Sequence, residues 1–412
     1  MSGPGHERDS NDQAVSPSAG VRYADRQTRS RAAILVLLAW VAVLLATQAW
    51  PSISDGVRLQ FAGDASVYRA MAAEAPGLPR GPVREQHAER WAVHWAVGSA
   101  ARASGVNLDT AYRAASLLVV AGVVLLLYSI LRRLRLTPSA IAVCLGIALA
   151  SVYPFRYWLA APGMVADAVF GLGLTLTLYG LGVRRLWLVL AGLVVATAAR
   201  QTAVPAALAL AVVIAFPGTS FLSTRKARVF GAAAVALLPL GLYLLIKTTA
   251  SGFSVPDLPP LGELTVLSDT PRQIVSHVGR LVLGIAFPLA ALLACLGRWR
   301  TSAAGPLVLG VAIVAQPLIL TSSWVDGNEP RLAGLAVPAL VVAAAIVMEG
   351  VDVTWVPALG VCAALFLGSL HHIYSDVDTS RRAWVLLVVV GAFSTFAVIV
   401  ASRRRAPQVV PG

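Results

Sequence analysis

The feature that most constrains this chain is a series of long apolar runs that carry no charge. Ala32 to Trp50 and Leu281 to Gly297 each lack Asp, Glu, Lys and Arg. Comparable runs recur along 412 residues, of which 57% are hydrophobic and 13% charged. That charged share is about half of what a soluble globular domain carries, and the mean hydropathy is +0.74. A water-soluble domain and a disordered chain are both excluded. A membrane-spanning helix needs about 20 predominantly apolar residues, so about twelve fit the apolar inventory. The short alternating segments of a β-barrel are absent. The expected fold is all-α: a polytopic transmembrane helical protein of about 12 membrane helices, with interfacial helices in the first extracytoplasmic loop.

The net charge of +13 could suggest a nucleic-acid partner, but its distribution argues against one. Only Lys226 and Lys247 are lysines; the other basic residues are arginines, many in short clusters between apolar runs. Such clusters mark the cytoplasmic ends of membrane helices. Cys144, Cys295 and Cys362 all fall inside apolar runs and read as packing residues, not as a disulfide framework or a metal site.

The arginines order the chain. Residues 1–31 are expected to be a disordered cytoplasmic tail ending in Arg22, Arg26, Arg29 and Arg31. Twelve apolar segments follow within 32–402. They run about 32–50, 114–130, 138–153, 164–183, 186–199, 202–216, 229–246, 281–297, 305–322, 332–348, 355–370 and 383–402. Arg132, Arg133 and Arg135, then Arg184 and Arg185, Arg225, Lys226 and Arg228, Arg298 and Arg300, and Arg403 to Arg405 fall on one side under this assignment. Both termini, 403–412 included, are then cytoplasmic, in a multi-pass protein of the cell membrane. Two large extracytoplasmic loops, 51–113 and 247–280, remain. Arg381 and Arg382 do not fit the pattern, so the last helix pair is the least determined.

Five of the six histidines (His87, His94, His277, His371 and His372) and most carboxylates fall outside under this topology. There is no phosphate-cradling glycine loop, zinc-type His and Cys spacing or nucleophile elbow. In the first loop, Asp64 and Tyr68 are four residues apart and share a face if helical. The bland reading of Asp64 is a helix cap or a salt bridge to Arg69. His87 and His94 read first as structural histidines, and Trp91 and Trp95 as interfacial anchors. Asp167 and Arg200 lie at membrane depth, where charge is costly and faces a partner or a cavity. They form either a packing ion pair or the lining of a polar cavity. Arg331, behind Asp326, Asn328 and Glu329, can hold a phosphate bidentately or simply anchor a helix end. Arg156 in YPFRYWLA has the same two readings.

Together FAGDASVY, RWAVHWAVG, PGMVADAVFGLGL, ATAARQTAVPAAL and NEPRLAGLAVPAL resemble, in order and side, the GT-C superfamily of integral-membrane glycosyltransferases. The resemblance covers roughly residues 32–350. It lacks the paired acidic motif of the first loop and a soluble C-terminal domain, which leaves metal dependence open; no cofactor is certain and a divalent metal is possible. The resemblance implies transfer of a sugar from a polyprenyl-phosphate donor to a glycan or lipid-linked acceptor of the cell envelope, with inversion and within the lipid bilayer. Asp64 and Asp167 would be the catalytic carboxylates. Arg331, Arg200 and Arg156 would bind the donor phosphate, and Tyr68, His94 and Glu329 the acceptor or sugar. Asp55 is a further candidate base. The alternatives are a transporter or flippase of a lipid-linked sugar, which should show inverted repeats, and a non-catalytic envelope-assembly protein.

Overall fold

The computed structural model describes residues 19–49, 63–151, 153–216, 221–256, 271–299, 303–319, 329–369 and 381–405. Asp55, Asp326, Asn328, His371 and His372 lie outside these, as do residues 51–62 and 257–270 of the two expected large loops.

The described residues are mostly helical. The first half carries α1 (Ala19–Ala49), α2 (Asp64–Ala73), α3 (Glu85–Ala88), α4 (Trp91–Ser104), α5 (Leu108–Arg133), α6 (Pro138–Leu149), α7 (Phe155–Ala160), α8 (Val165–Gly182) and α9 (Leu186–Ala199). The second half carries α10 (Ala203–Ala215), α11 (Arg225–Ala250), α12 (Pro271–Gly284), α13 (Ala286–Ala294), α14 (Ala304–Ile319), α15 (Glu329–Gly334), α16 (Val337–Val347), α17 (Trp355–Ser369) and α18 (Arg381–Arg405). A 3-10 turn, Pro162–Met164, leads into α8.

Local sequence explains several boundaries. Thr137 caps α6 by accepting from the Ala140 amide at 3.3 Å, with Pro138 at the first position. Asn107 caps α5 through the Asp109 amide at 2.8 Å. Thr224 caps α11 through the Ala227 amide at 3.1 Å. α1 begins thirteen residues earlier than the expected segment, so Arg22 to Arg31 stand on its first turns, not in a tail. Ala, Gln and Arg continue a helix readily once the apolar portion has nucleated it.

Each of the twelve apolar segments falls on a helix or a helix pair. Among the described residues, α1, α5, the 3-10 turn with α8, α11 and α18 are long and apolar enough to cross a membrane. α12 and α13 would add a sixth as one span bent by 80°. The helices α6, α9, α10, α14, α16 and α17 have between 10 and 17 residues and are shorter than a full crossing.

α6 and α16 are apolar on every face and lie at the centre, since such helices find no polar side to give to solvent. α1 is tied to α6 by the Trp40 indole, which donates to the Ala142 carbonyl at 2.9 Å. α8 and α9 approach closely because Gly173 and Gly192 face each other: a Cβ on Gly173 would stand 2.5 Å from the Gly192 carbonyl oxygen. The outermost helices turn large apolar side chains outward, including Phe230, Leu118 and Phe393.

Residues 63–106 form a small cap over one end of this bundle. α2 lies on α4, where a Cβ on Gly98 would stand 1.9 Å from the Ala72 carbonyl oxygen. β1 (Val83–Arg84) pairs in parallel with β2 (Ser254–Val255) after α11. Lys247 of α11 meets Glu85 at 3.1 Å, and the Tyr243 hydroxyl donates to Glu89 at 3.0 Å. The cap has its own apolar core, built from Tyr68, Met71, Val83, Met164 and Phe253 among others.

Candidate functional site

Helix lengths bring the polar residues to the capped end. Asp167 lies in the first turn of α8, and Arg200 in the break between α9 and α10. The glycine contact between α8 and α9 sets these neighbours side by side. Asp167 is fully buried; its Oδ1 accepts from the Arg200 guanidinium. Its Oδ2 lies 3.4 Å from Nε of Arg331 on α15, an ion-pair distance without the alignment of a hydrogen bond. The Arg331 guanidinium in turn lies over the Tyr157 ring, 5.9 Å from its centroid.

The cap supplies the other half. Asp64 opens α2, and its Oδ1 accepts from His87 Nε2 at 3.1 Å. The expected partner Arg69 instead binds Asp109 at 2.6 Å, and the residue before the helix, Gly63, offers no side-chain cap. The hydrogen bond from His87 lowers the Asp64 carboxyl to about 2, against the opposing effect of partial burial; the charges of His87, Arg331 and Arg90 act in the same direction as the bond. Asp64 is nonetheless half open, with 44% of its side chain accessible.

Tyr68, one helical turn on, is fully buried and joins the two halves. Its ring stacks on His94 with centroids 4.2 Å apart. Arg90 donates to its hydroxyl and lies over its ring at 5.8 Å. The proton count fixes the His94 tautomer. Tyr112 donates its hydroxyl proton to the Tyr68 carbonyl at 3.0 Å, so its oxygen is the acceptor for His94 Nδ1–H at 2.9 Å. Nε2 is then a bare acceptor, buried and without a hydrogen-bond partner among the described residues. Burial holds this imidazole neutral, its pKa lowered to about 3.

The cluster therefore contains two carboxylates, Asp64 and Asp167, and three guanidiniums, Arg90, Arg200 and Arg331. Arg90 has no carboxylate within ion-pair distance among the described residues. The Nε atoms of Arg90, Arg200 and Arg331 are all buried without hydrogen-bond acceptors. Buried N–H groups are paired as a rule, so this surplus of donors and of positive charge asks for an anion. The same surplus does not fit a divalent cation. Among the described residues no group of three or more His, Cys, Asp or Glu side chains could hold a metal ion.

Of the residues expected from sequence, Asp64, Tyr68, His94, Asp167, Arg200 and Arg331 come together. Two do not. Glu329 is buried on its own, accepting from His277 and from Arg280 at 3.2 Å. Arg156 points to the other side of α7, where Nη1 donates to the Ser369 carbonyl at 3.4 Å. There it lines a small crevice with Trp40, Val43 and Phe366; those three also line an apolar groove of about 760 Å³ between α1, α6 and α17. Asp167 has both oxygens facing arginines and none of its surface open, the arrangement of the buried ion pair that its sequence position also allowed. Sequence reading passed over Arg90 and Tyr157 and left His87 a structural role. Spacing gave no signal for them: His87 lies in α3, His94 in α4 and Arg90 in the break between, so the three share no single helical face.

No family model matches the chain, and no curated protein matches it either.

Proposed function

We propose that this is a multi-pass membrane glycosyltransferase of the GT-C type, transferring a sugar from a polyprenyl phosphate to an envelope acceptor at the extracytoplasmic face. The observation that carries the reading is the Asp64, Arg90, Asp167, Arg200 and Arg331 cluster, with its excess of buried guanidinium donors beside one half-open carboxylate. Outward-facing Phe230, Leu118 and Phe393 need an apolar surround, which supports the bilayer. The short pair α9 and α10 spans about 21 Å by its rise per residue, less than a bilayer core of about 30 Å. Arg200 is then sunk below the outer surface, beneath the cap formed by residues 63–106. In this reading the twelve apolar segments are crossings or partial crossings, and both termini are cytoplasmic.

In the reaction the acceptor hydroxyl attacks the anomeric carbon, the carbon–oxygen bond to phosphate breaks, and polyprenyl phosphate leaves with the electron pair. Configuration inverts. The hydroxyl proton passes to the carboxylate of Asp64. Arg331, Arg200 and Arg90 neutralise the departing phosphate. His94, buried and stacked on Tyr68, holds that ring in place one helical turn from Asp64. The groove between α1, α6 and α17 gives the polyprenyl chain an apolar bed.

The test is transfer of radiolabelled sugar from a panel of polyprenyl-phosphate donors by the purified protein. Label should reach an envelope acceptor and depend on Asp64. No consumption of any donor by the wild type would overturn the reading.

A further inference from the structure

At the opposite end of the bundle, α5, α8 and the turn into α9 enclose an open recess of about 640 Å³. Arg133, Arg184 and Arg185 line it together with Tyr179 and Trp187, and no acidic residue does. Arg133 closes α5; the other two arginines form the turn after α8, so separate stretches of chain converge here. The Arg133 guanidinium is already ordered. It lies over the Tyr179 ring, 5.4 Å from the centroid, and Nη2 donates to that hydroxyl at 3.3 Å. Arg184 holds a left-handed backbone, φ 56°, at a helix end where glycine is the usual residue. Trp187 is 65% exposed beside the arginines, an arrangement suited to headgroup depth.

We propose that this recess binds the headgroup of an anionic phospholipid, such as phosphatidylglycerol, in the leaflet opposite the candidate catalytic site. Uncompensated arginines meet the phosphate, and Trp187 with the apolar flanks of α9 meets the glycerol backbone and first methylenes. Basic pockets between membrane helices recognise anionic headgroups in this way. The proposal rests on the membrane reading but not on the sugar-transfer chemistry.

Native mass spectrometry of the full chain in detergent, titrated with phosphatidylglycerol or phosphatidylcholine, tests it. The wild type should retain phosphatidylglycerol about tenfold more tightly or better, given the attraction of each arginine to an anionic surface. Arg184→Gln with Arg185→Gln should abolish the preference, and Arg298→Gln, outside the recess, should keep it. Equal retention of the two lipids by the wild type would overturn the proposal, as would an unchanged preference in the double variant. Displacement of the lipid by millimolar inorganic phosphate would overturn it too, by showing a free-phosphate site. The wild-type measurements decide even if the double variant does not fold.

Discussion

Asp167 is shared by two arginines from distant parts of the chain: Oδ1 engages Arg200, and Oδ2 lies 3.4 Å from Nε of Arg331. Because the carboxylate and Arg200 are buried, each charge is tolerated only while the other is present. Asp167→Ala leaves two guanidiniums without their counter-ion. Breaking a buried pair costs about 3–5 kcal/mol, so the variant should unfold at markedly lower temperature in detergent. Asp167→Leu with Arg200→Leu should recover only part of that stability, since Arg331 still lacks its counter-ion, and remain inactive in sugar transfer. Thermal unfolding and transfer assayed on the same preparations separate the two effects. A stable, active Asp167→Ala would show that the pair does neither job.

Asp64 should behave in the opposite way. It is half open and bonded to one histidine, so Asp64→Ala should fold normally. Transfer should fall by about two to four orders of magnitude, the usual contribution of a positioned base. Near-normal transfer by a folded Asp64→Ala would remove it from the mechanism.

The acid limb of transfer tests the Asp64 and His87 contact. A carboxyl lowered to about 2 stays ionised through the accessible pH range, so wild-type activity should not fall through its protonation at pH 4. His87→Ala removes the hydrogen bond that is the largest cause of the lowering. The limb should move up toward about 4, the ordinary carboxylate range. An unmoved limb in a folded His87→Ala would mean another group controls it.

How far the sequence reaches is clear from particular residues. Asp167, Arg200 and Arg331 could be picked out because charge in or beside apolar runs is costly and seldom without purpose. Arg90 could not, because it stands in a stretch already crowded with Arg84, Glu85 and Glu89. Its direction is decided by the packing of α2 on α4 at Gly98, a contact that a lone glycine in a helix does not announce. Arg156 and Tyr157 show the same limit more sharply. They are adjacent on a six-residue helix and meet different partners, Arg156 the Ser369 carbonyl and Tyr157 the Arg331 guanidinium, and YPFRYWLA holds no apolar period that says which one meets Arg331. The twelve apolar segments were legible because burial or lipid contact demands them. The shortness of α9 and α10 was legible in the position of Arg200 between them. The tie between cap and α11 was not, since Lys247 and Glu85 are brought together only by the tertiary fold.

The α8 and α9 contact gives a further prediction. Gly173 and Gly192 leave no room for a side chain, and their helices carry Asp167 and Arg200. Gly192→Val should force the helices apart and separate the pair. The loss should be about 1–3 kcal/mol, as for other overpacked cores. Transfer should fall together with thermal stability. Gly182→Ala, which meets nothing within 4 Å, is the control and should leave both nearly unchanged. A normal Gly192→Val would show that the cluster does not depend on this contact.

His94 gives a pH dependence of stability whose sign is fixed by its burial. Its pKa is lowered from 6.5 to about 3 in the folded protein. Below 6.5 the unfolded chain takes up a proton that the folded one refuses. The contribution of the neutral ring is therefore fully present above 6.5 and is lost as pH falls toward 3. His94→Gln has no such titration. It loses the stack on Tyr68, so it should be less stable than wild type at pH 7.5, but its melting temperature should fall less steeply between pH 6.5 and 4.5. Parallel curves for the two proteins across that range would mean that His94 takes up its proton within the fold, and that its Nε2 is not the bare acceptor inferred from the Tyr112 and Tyr68 hydrogen bonds.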